Sequence, residues 1–342
     1  MSIIIAIIIF SFIIIFHELG HFLLAKANGI TVNEFCLGLG PKLIGKKIGD
    51  TVYSIRALPF GGACMMQGED EENEEEGSFG SKSVLARISV VAAGPVFNFF
   101  LAFLLSLIIV GAYGYDPAQI SGTIEGYEAE KAGLLAGDEI VSLNNKNIHL
   151  FREIGIYLSF HGDEPVTVTY RRDGELNSCV IEPSTGEEGY PMLGVTSVGY
   201  VKGNFLQTVK YSALEVKYWI DTTFQSLKAL ITGQVGLSGI SGPVGIVSYI
   251  GDTYETTSKI SRNAVISSLL NISILLTANL GVMNLLPIPA LDGSRLVFLI
   301  VEGIRRKRVD PKREATIHLI GMAFLMALMV IVLFNDVWKL FV

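Results

Sequence analysis

The chain has 342 residues, of which 50% are hydrophobic and only 17% are charged. Soluble domains usually carry about 25% charged residues, and the apolar residues here lie in long runs, which predicts a membrane protein. This composition excludes a disordered chain, a fibrous repeat and a small disulfide scaffold. The three cysteines, Cys36, Cys64 and Cys179, have no CxxC spacing, which argues against a cysteine zinc site or a redox motif.

The formal charge of −7 comes from one short tract. Residues 69–76 read EDEENEEE and contain seven acids, and outside them acidic and basic residues are equal in number. Because clustered like charges repel and resist packing, the tract predicts a solvated loop. The balanced remainder gives no reason to expect a nucleic-acid partner.

Four apolar segments have the length of membrane spans: Ile3–Ala25 and approximately 84–113, 264–286 and 315–334. The first covers about 34 Å as a helix at ~1.5 Å per residue, enough for a hydrocarbon core of roughly 30 Å. A signal peptide fits this segment poorly, since no basic residue precedes it and no small-residue cleavage site follows it.

The segment between the second and third spans has ordinary charge density. Residues 114–200 contain short alternating strands, such as VTVTY at 166–170, and glycine-containing turns, which predict an inserted soluble domain. Residues 203–232 have the pattern of an amphipathic, interfacial helix. The predicted division is therefore 1–113 (two spans and the loop joining them), 114–200 (soluble domain), 201–262 (amphipathic linker) and 263–342 (two spans).

Basic residues near the spans predict the orientation of the chain. The loop between the third and fourth spans carries seven of them: Arg295, Arg305, Arg306, Lys307, Arg308, Lys312 and Arg313. Short basic loops stay in the cytoplasm. With four spans, the loop 26–83 is then cytoplasmic as well, and both termini and the 114–262 region lie outside.

The sequence HELGH at residues 17–21 predicts a metal site. His17 and His21 are four residues apart, so they share one face of a helix and are able to bind the same ion. Glu18 lies beside them, where it is able to take a proton from a metal-activated water. Ionisable groups inside an apolar span are costly and usually functional. The alternative is a pair of polar residues at a helix contact.

A catalytic zinc usually has three protein ligands and one position open to water. His149 and His161 lie in the predicted external domain and do not suit. His318 lies in the fourth span, where a hydrogen-bonded structural histidine is an equal alternative. Asp292, in NLLPIPALDG (284–293), is the better candidate, because Pro287 and Pro289 break the helix there and place irregular backbone at membrane depth. A helix-capping role for Asp292 remains open.

These motifs together resemble the site-2 protease family of intramembrane zinc proteases. HELGH in the first span, AAGPVFNF (92–99) in the second and NLLPIPALDG after the third occur in the family's order, and the four-span layout with one inserted domain is similar to the bacterial RseP-type branch. The resemblance implies that His17, His21 and Asp292 bind Zn²⁺ and that Glu18 is the catalytic base. It also implies substrate contacts at Asn284, Pro287 and Asn98, the last of which belongs to the family pattern on span two.

Residues 51–62, TVYSIRALPFGG, resemble the membrane re-entrant β-loop of that family. Alternating residues lead into Gly61 and Gly62, and we expect these glycines to form a turn beside an unpaired edge that binds extended substrate by strand addition. An ordinary cytoplasmic hairpin is the alternative. The sequence continues GGACMM, where the family more often has Gly-Tyr-Val. The resemblance therefore does not predict the conformation of the edge that binds substrate.

The inserted domain contains EAEKAGLLAGDEIVSLNNKNI (128–148), which is similar to the PDZ domains of bacterial proteases. PDZ domains bind extended peptides or chain ends at a sheet edge. The expected fold is therefore a polytopic α-helical membrane protein with four transmembrane helices, a re-entrant β-loop and an inserted, mostly-β PDZ domain.

The resemblance implies a zinc endopeptidase in the bacterial inner membrane that cuts single-span membrane proteins, such as trimmed anti-sigma factors or remnant signal peptides. Two other classes of function compete. A membrane-anchored PDZ scaffold needs no intact His17, Glu18, His21 and Asp292, and a transporter usually has a repeated half, which is not evident in this sequence.

Overall fold

The structure is a computed structural model, and it describes residues 2–69, 75–162, 164–186, 189–236, 241–308 and 310–339. The side chains of Phe60 and of residues 311–313, which include Lys312 and Arg313 of the basic loop, are outside the described set. Most of the acidic tract (70–74) and part of the glycine-rich segment before the third span (237–240) also lie outside it. The chain divides into two compact units, Met1–Leu105 with Gly233–Val342, and Ser106–Thr232.

The described residues form the following helices and strands. The helices are α1 (Ser2–Ala27), α2 (Val84–Tyr113), α3 (Glu128–Lys131), α4 (Arg152–His161), α5 (Phe205–Ile231), α6 (Pro243–Ser258), α7 (Arg262–Leu285), α8 (Asp292–Arg305) and α9 (Pro311–Lys339). The strands are β1 (Val32–Ile48), β2 (Thr51–Met66), β3 (Ile120–Thr123), β4 (Glu139–Leu143), β5 (Lys146–Asn147), β6 (Val166–Arg172), β7 (Glu175–Ile181), β8 (Ser184–Thr185), β9 (Pro191–Met192) and β10 (Val195–Ser197).

Four helices in the described part of the chain are long and apolar enough to cross a membrane: α1, α2, α7 and residues Glu314–Lys339 of α9. The shortest has 24 residues and so extends about 36 Å, more than the roughly 30 Å of a hydrocarbon core. Their positions agree with the four predicted segments. The chain is therefore a helical membrane protein, and the crossing of the bilayer by each helix remains a prediction.

In the first unit, β1 and β2 form a sheet in which each long strand bends and pairs twice. Residues 32–37 of β1 pair with residues 62–66 on one side, and residues 34–37 pair with residues 52–55 on the other. Residues 42–48 pair with the beginning of β2. The order across the sheet is therefore 62–66, 32–37, 51–56 and 42–48.

This order corrects one prediction for residues 51–62. The chain does reverse direction between residues 58 and 62, where Gly61 has φ +91°, and a hairpin turn at residues 49–50 precedes this reversal. Residues 52–55 pair on both sides, so they are not an unpaired edge. Local sequence does not predict this double pairing. After its hairpin with residues 42–48, β2 reverses direction and pairs with the other side of residues 32–37. The edges of the sheet are residues 42–48 and 62–66.

Helix α6 lies within residues 201–262, for which the sequence analysis predicted an amphipathic linker and no second helix. Pro243 stands in its first turn, as the fixed φ of proline favours. The buried Asp336 carboxylate of α9 accepts hydrogen bonds from the backbone N–H groups of Gly242 (3.0 Å) and Gly245 (2.8 Å). A carboxylate from a distant helix therefore pairs the free donors at the start of α6.

The second unit has its own core, in which Ile120, Leu134, Ile140 and Val168 are almost completely buried. A four-stranded sheet has the order β5-β4-β6-β7, and β10 pairs with β3. The predicted amphipathic helix is present as α5. It begins with a reciprocal pair of hydrogen bonds between Asn204 and Gln207, a capping box. The PDZ assignment and the four-part division of the chain remain predictions.

Candidate metal centre

The candidate site contains two imidazole side chains from α1. His17 and His21 are both buried, and their Nε2 atoms lie 3.2 Å apart. The four-residue spacing places both side chains on one face of the helix, as the sequence predicted. The site therefore starts from a rigid element inside the first candidate span.

Asp292 completes a group of three. Its Oδ2 lies 3.2 Å from His17 Nε2 and 3.4 Å from His21 Nε2. The path of the chain explains this position: α7 ends before Pro287, an irregular segment follows, and Asp292 is the first residue of α8. The residue that caps α8 is Leu291, and no side chain caps it. The carboxylate of Asp292 is directed at the imidazoles instead.

The three donor atoms fit a zinc ion. They lie within 4.8 Å of one another, and two imidazole nitrogens with one carboxylate oxygen are a ligand set of catalytic zinc sites. Asp292 Oδ2 is buried and has no partner of good hydrogen-bond geometry in the described part of the chain. A buried carboxylate oxygen without a donor is costly, and a cation at this point removes the cost.

The Nδ1 atoms on the far sides of the two rings are also held. His21 Nδ1 lies 2.9 Å from the backbone oxygen of Val90, and His17 Nδ1 lies 3.0 Å from the side-chain amide of Asn98. The Val90 oxygen only accepts, so His21 carries its proton on Nδ1 and leaves Nε2 free for a metal. Asn98 is fully buried behind His17, a placement that favours orientation of this ring over the substrate contact we predicted.

Two glycines allow the helices to meet at the site, and the sequence analysis missed both roles. A Cβ on Gly20 would lie 2.8 Å from the Ala93 carbonyl carbon, and one on Gly94 would lie 2.6 Å from His17 Cε1. Glycine inside a helix costs about 1 kcal/mol relative to alanine. Because of this cost, a glycine in the middle of a span usually marks a close approach of two helices. This was the signal available in the sequence.

Glu18 lies beside the metal group and lines the same cavity, whose volume is about 720 Å³. The edge segment of the sheet, residues 62–66, lines this cavity as well. A Cβ on Gly62 would lie 3.2 Å from Glu18 Cγ, so the strand passes close to this carboxylate. The cavity therefore brings together a metal group, a candidate base and a strand edge.

The remaining predicted residues lie as follows. Asn284 Nδ2 is 3.5 Å from His17 Nε2, Pro287 is exposed directly after α7, and Gly61 lies in β2 beside Leu39. Among the described residues, His149, His161 and His318 are not in the metal group. His318 Nδ1 instead accepts a hydrogen bond from the backbone N–H of Ala290.

The chain is similar to known proteins over nearly its whole length. Residues 5–328 match the model of peptidase family M50. A candidate zinc metalloprotease of Clostridium acetobutylicum is 36% identical to the chain over 98% of this chain and 97% of its own length. The regulator of sigma-W protease RasP of Bacillus subtilis is 32% identical over 98% of both chains.

Solved structures similar to part of the chain include that of a PDZ domain. The PDZ domain of an SdrC-like protein of Listeria monocytogenes is 21% identical, covers 25% of this chain and 90% of its own, and has a TM-score of 0.22. The interpretation of residues 114–200 as a PDZ domain stays a prediction at this level of similarity.

The family match extends from the first span almost to the end of the fourth, and the full-length relatives are named as zinc metalloproteases. The chain therefore belongs to peptidase family M50, the site-2 protease family, and is a zinc metalloprotease of the membrane.

Proposed function

We propose that this protease cuts single-span membrane proteins inside the bilayer. The observation that carries the proposal is the convergence of His17, His21 and Asp292 within a candidate span, with Glu18 beside them. His17 stands 14 residues after Ile3, which is about 21 Å along the helix. With the N-terminus outside, this depth is in the cytoplasmic third of a core of roughly 30 Å.

In this proposal His17 and His21 hold Zn²⁺ through Nε2, and Asp292 holds it through a carboxylate oxygen. The ion supplies a Lewis acid for the scissile carbonyl and lowers the pKa of water. Val90 and Asn98 fix the two rings. For His17 to bind through Nε2, its Nδ1 must carry the proton. Asn98 Nδ2 faces Nδ1 at 3.0 Å, so the amide must turn by 180° to accept through Oδ1. That oxygen has no other partner in the described part of the chain.

Glu18 is the proposed general base and acid. Its carboxylate takes the proton of the attacking water and afterwards gives it to the nitrogen of the leaving amine. Its position one residue from His17 on the helix, in the same cavity as the metal group, supports this assignment.

Residues 62–66 are the proposed edge for the substrate. They pair with β1 on one side only, and they line the cavity that contains Glu18. A helical substrate hides its carbonyl groups in its own hydrogen bonds, so it must unwind before hydrolysis. Pairing with a free strand edge holds the unwound segment extended beside the metal group. Asn284 and Pro287 remain proposed contacts on the facing side.

A contact between the sheet and the middle of α1 supports the assignment of the sheet as a re-entrant loop. The hydroxyl of Ser11, in the middle of the apolar run of α1, donates to the backbone oxygen of Pro59 (2.7 Å). Ser11 precedes His17 by six residues, or about 9 Å. Exposed apolar side chains on the sheet, among them Leu43, Ile44 and Ile55, suit lipid contact.

For the substrates we propose anti-sigma factors that another protease has already trimmed, and remnant signal peptides. Support comes from the RasP relative, whose name describes it as a regulator of sigma-W. We place the enzyme in the bacterial inner membrane, with both termini and the inserted domain outside, from the distribution of basic residues. The inserted domain then meets substrates from outside, as a filter for bulky ectodomains or as a reader of new chain ends.

Reconstitution of the purified enzyme in lipid vesicles with a single-span substrate tests the proposal. Mass spectrometry of the products should locate the cut within the apolar segment for the wild type, and Glu18→Gln should give no product. Products cut only outside the apolar segment, or equal cleavage by Glu18→Gln, would refute it. Deletion of residues 116–198 should permit cleavage of untrimmed substrate.

A further inference from the structure

The segment that delivers Asp292 contains a strained turn. The Leu291 N–H donates to the Ile288 carbonyl (3.1 Å), Pro289 is the second residue of the turn, and Ala290, the third, has φ +78°. These are the features of a type II turn, whose third residue is normally glycine. A Cβ makes this backbone conformation unfavourable, so contacts from elsewhere must hold it.

Helix α9 provides two such contacts from one face. The backbone N–H of Ala290, which the turn itself does not use, donates to Nδ1 of His318 (3.1 Å). One turn of helix further on, a Cβ at Gly321 would stand 2.9 Å from the carbonyl carbon and oxygen of Pro289. Residues three apart lie on the same helix face, so the backbone of α9 is pressed against the turn while His318 binds it.

The tautomer of His318 follows from this bond. A backbone N–H only donates, so Nδ1 must be the unprotonated, accepting nitrogen. The other nitrogen, Nε2, lies 3.8 Å from Glu314 Oε1. The ring therefore presents a fixed acceptor to the turn.

From this geometry, and on the basis of the proposed function, we propose that His318 is a positioning residue for the metal site. It holds Ala290 in its left-handed conformation and so places the carboxylate of Asp292, two residues later, against His17 and His21. Residues that orient metal ligands typically change metal affinity by about 10–100-fold when they are lost.

Zinc release from the full-length protein in detergent, measured after addition of a chelator, tests this role without an activity assay. His318→Leu removes the acceptor and should release zinc at least ~10-fold faster than the wild type. His318→Asn puts an amide oxygen where Nδ1 stands and should restore slow release. His318→Gln puts its amide oxygen one bond further out and should behave as His318→Leu does.

Ala290→Gly gives an independent arm, because glycine adopts φ +78° without strain. Alone it should change zinc release little, and combined with His318→Leu it should restore slow release. Equal release by the wild type and His318→Leu overturns the proposal, and so does failure of Ala290→Gly to rescue. If His318→Leu does not fold, the comparison of His318→Asn with His318→Gln decides, and equal rates overturn it.

Asp292→Ala distinguishes an error in the proposed ligand set from an error in the proposed role of His318. If this variant keeps its zinc, the proposed ligand set itself is wrong. If it loses zinc while His318→Leu retains zinc as the wild type does, only the positioning role of His318 is wrong.

Discussion

Gly94 of α2 faces His17 of α1 so closely that a Cβ on the glycine would stand 2.6 Å from the imidazole Cε1, and it would overlap His21 Nε2 as well. The two spans approach this closely because Gly94 has no side chain. The second span therefore shapes the metal site without contributing a ligand of its own, and a single methyl group added to it must displace both histidines.

We expect Gly94→Ala to lower zinc affinity by about tenfold or more, since displaced ligands no longer converge. Gly111→Ala, in the same helix, is the matched control, because its Cβ would lie 3.9 Å from Thr208 Cγ2, an ordinary contact. Both changes raise helix propensity equally. Zinc titration of both variants measures the difference, and equal affinities would show that the rings are free to move aside.

A proline scan of residues 62–66 tests the proposed substrate edge. Successive N–H groups of a strand point to opposite sides, so alternate prolines should remove donors from the free edge and leave the pairing with β1 intact. We expect those variants to keep zinc and to cleave about tenfold more slowly, which corresponds to one hydrogen bond of about 1.4 kcal/mol.

The opposite edge of the same sheet supplies the control for this scan. Lys46→Pro and Lys47→Pro change residues 42–48, which lie at the other edge, and at least one of them should cleave normally. Unchanged cleavage throughout residues 62–66 would remove this edge from the mechanism.

The orientation of the chain is tested by cysteine labelling. In a variant without Cys36, Cys64 and Cys179, Lys307→Cys should react only from the cytoplasmic side and Asp173→Cys only from outside. The basic residues after α8 motivate this expectation. Labelling of both positions from one side would overturn the four-span topology.

Asp138 should make the inserted unit sensitive to acid. Its burial opposes the charge, but the Arg172 guanidinium (2.7 Å) and the Leu135 N–H (2.8 Å) outweigh this and hold the pKa of Asp138 below its ordinary value. A lowered pKa stabilises the fold above the unfolded value of about 3.9, and this stability is lost as the pH falls toward the folded pKa.

Proteolytic susceptibility of the inserted unit, followed from pH 7 to pH 3 in the full-length protein, measures this effect. Asp138→Asn should be more susceptible at pH 7 and show a shallower acid dependence than the wild type. Glu139→Gln, which changes an exposed ion pair with Arg171, should behave as the wild type does. An unchanged acid profile in Asp138→Asn would assign the acid sensitivity to other groups.

The sequence was informative where the chemistry is local. His17, Glu18 and His21 share two turns of one helix, so their proximity was predictable from spacing. The prolines before Asp292 mark the end of α7, but the ligand role of Asp292 was implied by the family resemblance and stays a prediction. The β-loop was not predictable, because the double pairing of residues 52–55 depends on residues 32–37 and 42–48 together. Helix α6 was missed because the Asp336 carboxylate that pairs its first donors is more than 90 residues away.

The zinc content of the purified protein and its single-residue variants tests the central claim most directly. The account predicts one zinc per chain in the wild type and in Glu18→Gln, with no cleavage by the latter, since a base is not a ligand. It predicts strongly reduced zinc in His17→Ala, His21→Ala and Asp292→Ala. Full zinc retention in Asp292→Ala, or loss of zinc in Glu18→Gln, would contradict the assignment of the site.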